Sequence, residues 1–120
     1  MLSKPHRLRK TKDFLTVYQQ GRRHNSAGLS LRVYQRPYSE GDIPPIRIGI
    51  SVSQKVSKHA VVRNRLKRQL RAACSQLLPQ MKAGRDIVLV VRPTALKCSY
   101  QQFLQQLKQL FTQAEILHGH

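Results

Sequence analysis

Between Arg63 and Arg71 the chain reads R-N-R-L-K-R-Q-L-R, five cations in nine residues, inside a stretch from Ile43 to Arg85 that holds no Asp or Glu. The chemistry open to such a run is phosphate binding. Guanidinium forks bind phosphate bidentately and stack on bases, so an Arg-rich helix suits folded RNA better than a Lys-rich one. A solvated helix ordinarily mixes signs, because Glu four residues before Lys stabilises it by about 0.2–0.5 kcal/mol and like charges at that spacing cost a similar amount. Here Arg63/Lys67, Lys67/Arg71 and Arg68/Arg71 are all like-charged neighbours. A polyanion outside the chain is the expected compensation. Asn64 either braces the helix start or touches that ligand, and His59, just before the helix, is a local cap or a phosphate contact.

A second set of residues could hold a single strand of nucleic acid. Phe14 and Tyr18, at i and i+4, offer aromatic platforms beside the cation Lys55, and each stacked base is worth about 1–3 kcal/mol. Small polar Ser51 and Ser53, following Gly49 on an alternating segment, would let a backbone approach closely. Both aromatics equally fit a core, although the Tyr18 hydroxyl favours a rim position.

A protein-borne active site is not expected. Metal-dependent nucleases cluster carboxylates around their ions, whereas Asp13, Glu40, Asp42, Asp86 and Glu115 are scattered along the chain. No spacing brings two of His6, His24 and His59 together as acid and base. His118 and His120 resemble a metal pair only superficially, and a frayed tail over 118–120 is the simpler reading. Glycine loops, zinc spacings and nucleophile motifs are absent.

The elements that must position these groups follow from periodicity. Thr11 caps a short helix to about Gln20, with Phe14, Val17 and Tyr18 on one face and Gly21 ending it. Residues 1–10 read as a basic flexible arm. Leu29 to Gln35 alternates, with Leu29, Leu31 and Val33 on one side and Ser30, Arg32 and Tyr34 on the other. Pro37 to Pro45 is a loop by composition, and Arg47 to Ser53 alternates again with Ile48, Ile50 and Val52 inward. From about Lys58 to Leu78 the period becomes helical, with Val62, Leu66, Leu70, Ala73 and Leu77 within roughly an 80° arc. D-I-V-L-V-V, Asp86 to Val91, is apolar enough for a central strand covered on both faces. Ser99 and Gln102 form a capping box for a final helix whose stripe runs from Tyr100 through Phe103, Leu107 and Phe111 to Leu117. The expectation is a small α+β sandwich, ordered helix, strands, helix, strand, helix.

Whole-chain composition agrees with a nucleic-acid partner: 22 Lys plus Arg against 5 Asp plus Glu give a net charge of +17. With 40% hydrophobic residues in 120, one RNA-binding domain with a real core is expected rather than a basic tail. Cys74 and Cys98 have neither metal spacing nor the density of a secreted disulfide scaffold, and no apolar run reaches the roughly 18 residues of a membrane span. These features predict a soluble, cytoplasmic protein with no membrane partner and no small-molecule substrate.

The segment I-G-I-S-V-S-Q-K-V-S-K-H-A-V-V-R-N-R-L-K-R-Q-L-R, Ile48 to Arg71, resembles the signature region of the protein subunit of bacterial ribonuclease P. Its distinguishing part is the R-N-R-x-K-R run opening a helix directly after a G-x-S-V-S strand. L-R-K-T-K-D-F (Leu8 to Phe14), the D-I-V-L-V-V strand and the closing helix after S-Y-Q-Q-F agree, so the resemblance spans Arg7 to Leu117. Gln54 departs from it where the family often has a second Lys before Lys55. The resemblance implies a ribonucleoprotein that removes 5′ leaders from precursor tRNA, with the catalytic centre and its Mg²⁺ in the RNA subunit and no cofactor or metal on the protein chain. It maps RNA-subunit binding onto Lys58, His59, Arg63, Asn64, Arg65, Lys67, Arg68 and Arg71. A leader-binding cleft maps onto Phe14, Tyr18, Arg32, Ser51, Ser53 and Lys55. It also implies about four strands, with a short one near Arg22 to Ala27, and a left-handed βαβ crossover that handedness rules would not favour. The alternative is a structural, ribosomal-type RNA-binding protein with no enzymatic complex. A DNA-binding architectural protein fits less well, since the basic helix has no helix-turn-helix partner.

Overall fold

The computed structural model describes residues 2–118. In chain order the elements are α1 (Thr11–Gln20), β1 (Arg22–Asn25), β2 (Leu29–Gln35), β3 (Arg47–Ser51), α2 (Ala60–Leu77), β4 (Arg85–Val91) and α3 (Tyr100–Gln113). The strands form one sheet in the order β1-β2-β4-β3. β1 pairs antiparallel with β2 and β2 with β4, while β3 runs parallel to β4, so α2 is the crossover between two adjacent parallel strands. The short strand near Arg22 and the interior place of β4 are as expected.

β4 reads as continuously apolar because both of its faces are covered. Ile87, Leu89 and Val91 join Leu29, Leu31, Val33 and Ile48 under α2 and α3, which contribute Leu66, Leu70, Leu77, Phe103, Leu107 and Phe111 to the same core. Val88 faces the other way, into a smaller cluster with Leu8 and Val17, against which Phe14, Tyr18, Tyr34 and Val90 pack. The α+β sandwich therefore carries α1 as a partial third layer on the second face of the sheet. At the start of α3 the Ser99 side chain accepts from the Gln102 amide while the Gln102 side chain accepts from the Ser99 amide, completing the expected capping box.

Several local expectations are corrected. Thr11 is the first residue of α1; Lys10 stands at the cap position and makes no side-chain cap. β3 stops at Ser51, two residues short, and α2 begins at Ala60. Leu117 has helical spacing in the sequence but lies outside α3, because Glu115 adopts a left-handed φ of 56° and turns the chain so that Leu117 pairs with Met81. Residues 2–8 are not a flexible arm: Leu2 and Leu8 are buried, the Leu8 amide donates to the Ile48 carbonyl at 3.0 Å, and Arg7 bridges to Ile48 along the edge of β3. His118 is likewise fixed, its amide donating to the Gln80 carbonyl at 2.7 Å. His120 lies outside the described residues.

Candidate RNA interface

The basic run occupies the first three turns of α2, opposite and beside its buried stripe. Asn64, Arg65 and Arg68 are exposed, and Lys58 and His59 precede them in an exposed turn. Arg63, Lys67 and Arg71, spaced by four, form a half-buried ridge along one flank of the helix. Arg63 is partly committed, since its Nη1 donates to the Ser57 carbonyl at 2.9 Å and ties the preceding loop to the helix. His59 stands at the cap position without a side-chain cap bond, and no acid lies in the first turn. Asn64 is too far into the helix to cap it. Uncapped amides and the positive end of the helix dipole thus add to the side-chain charge.

On the second face of the sheet, α1 covers some rows of side chains and leaves others open. Phe14 lies over Gly49 so closely that a Cβ at that position would come within 2.5 Å of the ring. Only glycine allows this seat. Val17 packs on Val88, and the Tyr18 ring lies under the Arg32 guanidinium, 5.1 Å from centroid to Cζ. The next row, Asn25, Ser30, Val90 and Ser51, crosses all four strands beyond these contacts. Ser51 is half-buried, and Ser53 and Lys55 follow it, exposed, in the turn toward α2. Phe14 is therefore neither pure core nor free platform. One side of its ring seats on Gly49, and the ring also lines a cavity of about 350 Å³ with Arg9, Ile50 and Arg71. That cavity joins the two predicted surfaces, because Arg71 belongs to the α2 ridge.

Arg32, which the resemblance maps to the leader cleft, donates from Nη1 to the Tyr18 carbonyl at 3.3 Å and holds its Cζ over the Tyr18 ring. Sequence reasoning missed Arg47. Its Nε and Nη2 bind both oxygens of Asp86 at 2.8 and 2.6 Å, and Nη1 reaches Asp13 on α1 at 3.2 Å. Arg36 Nε lies 3.3 Å from the same Asp86 carboxylate, an ion pair without hydrogen-bond alignment. The hydrogen bond to Asp86 holds the Arg47 guanidinium above its usual basicity, against the opposing effect of desolvation. Two carboxylates that look scattered in sequence thus converge on one arginine. Glu40 and Asp42 sit in the exposed loop and Glu115 is exposed beyond α3, so none of the ion pairs among the described residues neutralises the α2 cations.

The outward cations of α2, and the cavity in which Phe14 meets Arg9 and Arg71, offer the positive charge and aromatic surface that RNA binding requires. A sequence model of the Ribonuclease P family matches residues 2–115. The chain belongs to the ribonuclease P protein family. A ribonuclease P protein component from a Cyanothece species is 59% identical, with all of both chains covered, and one from a Synechocystis species is 50% identical over 99% of this chain and 94% of its own. Among solved structures, a mutant Staphylococcus aureus RNase P protein matches with a TM-score of 0.82 at 25% identity, covering 95% of this chain and 92% of its own. The Thermotoga maritima RNase P protein matches with a TM-score of 0.76 at 24% identity, covering 89% and 96%. Membership makes the chain the protein subunit of the ribonuclease P endoribonuclease ribonucleoprotein, which acts in tRNA 5′ processing, with an RNA as its partner. The reading as a structural protein without an enzymatic complex falls with that finding.

Proposed function

We propose that this ribonuclease P protein binds the catalytic RNA through Lys58, His59, Arg63, Asn64, Arg65, Lys67, Arg68 and Arg71, and holds the 5′ leader of precursor tRNA in the groove beside α1. Leader contacts fall to Phe14, Tyr18, Ser51, Ser53 and Lys55, with Arg32 backing the Tyr18 ring. Hydrolysis and the Mg²⁺ that supports it belong to the RNA subunit, and the protein contributes binding and orientation. The observation that carries this division is the segregation of charge: Asp13 and Asp86 are absorbed by Arg47 and Arg36, while the α2 cations face outward without an acidic partner among the described residues. Cytoplasm is the proposed compartment, in keeping with free thiols at Cys74 and Cys98.

Tyr18→Ala is the direct test. Losing one stacking platform should weaken binding of a leader-bearing precursor by about 1–3 kcal/mol while leaving mature tRNA nearly unaffected. Equal losses for both RNAs would assign Tyr18 to the core. Cleavage by the protein freed of all RNA would overturn the assignment of chemistry to the RNA subunit.

A further inference from the structure

α1 is the least anchored helix of the fold. Of its ten residues only Val17 is fully buried, and no side chain caps its first turn. The proposed groove is useful only if Phe14 and Tyr18 stand at a fixed distance from Ser51 and Lys55.

Two arginines from the sheet hold its ends. At the C-terminal end, Arg32 of β2 donates to the Tyr18 carbonyl and sets its guanidinium carbon over the ring. At the N-terminal end, Arg47 of β3 donates to Asp13, the residue before Phe14. Arg47 is itself immobilised, since its other two donors grip both oxygens of Asp86, which is 3% exposed on the adjacent strand. A fork held on two prongs presents the third at a fixed point.

The geometry points to Asp13 and Arg47 as a positioning clasp: Asp86 orients Arg47, Arg47 fixes Asp13, and the clasp sets where α1 presents Phe14 and Tyr18 to the leader. The inference rests on the proposed leader groove for its consequence but not for its geometry. Neither residue needs to touch RNA. An acid at this place is otherwise hard to reconcile with a binding surface, because Lys4, Arg7, Arg9 and Lys10 line the same hollow as Asp13 and Arg47. Removing Asp13 would make the surface more attractive to phosphate, so an electrostatic role and a positioning role predict opposite outcomes.

Asp13→Asn in the full chain, assembled with its RNA subunit, tests the clasp. The chain has three phenylalanines, and Phe103 and Phe111 are fully buried, so 4-fluorophenylalanine labelling gives a ¹⁹F spectrum in which Phe14 reports on α1. The expected result is a shift or broadening confined to the Phe14 resonance, with preference for leader-bearing precursor over mature tRNA reduced roughly three- to tenfold. RNA-subunit affinity and single-turnover cleavage at saturating enzyme should be unchanged. Tighter binding of both RNAs at an unchanged ratio, with Phe14 unmoved, would show that Asp13 acts only through its charge and would overturn the clasp. So would movement of all three fluorine signals together with loss of RNA-subunit affinity, which marks general loosening. Tyr18→Ala separates this from the groove itself. If Tyr18→Ala keeps the preference, the leader reading fails and the Phe14 signal alone decides the clasp. If Tyr18→Ala loses the preference and Asp13→Asn keeps it, the clasp alone fails.

Discussion

Substituting the cations of α2 and the turn before it one at a time should change the salt dependence of RNA-subunit binding in a way the structure specifies. Lys58, Arg65 and Arg68 are exposed, and Lys67 and Arg71 are half-exposed on the flank, giving five cations free to meet phosphate. Counterion release at about 0.9 per neutralised phosphate then predicts a slope near −4.5 in log K against log salt. Between about 50 and 200 mM salt, affinity should fall roughly 500-fold on that slope. Arg68→Ala removes one contact and should bring the slope to about −3.6 without altering stability. Arg63→Ala should differ in kind, because Arg63 also braces the loop at Ser57; it should weaken binding at every salt concentration and loosen residues 57–59 in hydrogen exchange. The assay is a titration of labelled RNA subunit with protein across a potassium chloride series at fixed Mg²⁺. A slope that stays the same after Arg65→Ala and Arg68→Ala would refute the claim that this helix face meets the phosphates.

Gly49→Ala places a methyl against the Phe14 ring and should cost about 1–3 kcal/mol in urea unfolding, with weakened precursor preference; an unchanged midpoint would show that the ring moves aside freely. Burial pushes the Cys74 thiol up to about 12 from its ordinary 9.0. Its contribution is then fully present below pH 9, where both states hold the proton. Above that the unfolded state ionises first, and stability falls by up to about 1.4 kcal/mol per pH unit until the folded thiol also titrates. Cys74→Ala should flatten the alkaline limb of melting temperature against pH, and an identical limb in both proteins would contradict this. With a net charge of +17, sulfate or phosphate should raise the melting temperature by binding the native state, whereas melting insensitive to sulfate would reject the linkage.

How legible the molecule is from sequence depends on whether a feature is local. The α2 stripe, the β2 alternation and the Ser99 capping box each lie within one element, and all three form as their spacing predicts. Leu117 shows the limit of that rule, because helical spacing continued past the point where Glu115 turned the chain. Leu2 and Leu8 show another. Isolated leucines among cations carry no period, and only tertiary packing, against the main core for Leu2 and beside Val17, Val88 and the edge of β3 for Leu8, explains why they are buried. Beside α1, Phe14, Tyr18 and the Ser51 row lie on one face of the sheet, while Arg32 is turned onto Tyr18 and Arg9 enters the cavity unannounced.

By itself the sequence determined the partner class, the basic face of α2 and the family, because net charge, an acid-free stretch and a long motif need no coordinates to be read. Tertiary structure alone decided that the few acids do not oppose that surface. Arg47 meets Asp13 and Asp86 across 34 and 39 residues of chain, and no local pattern encodes a contact made only when β3, β4 and α1 have packed. The physical reason is that charge is additive along a chain, whereas the pairing of charges depends on where folding places them.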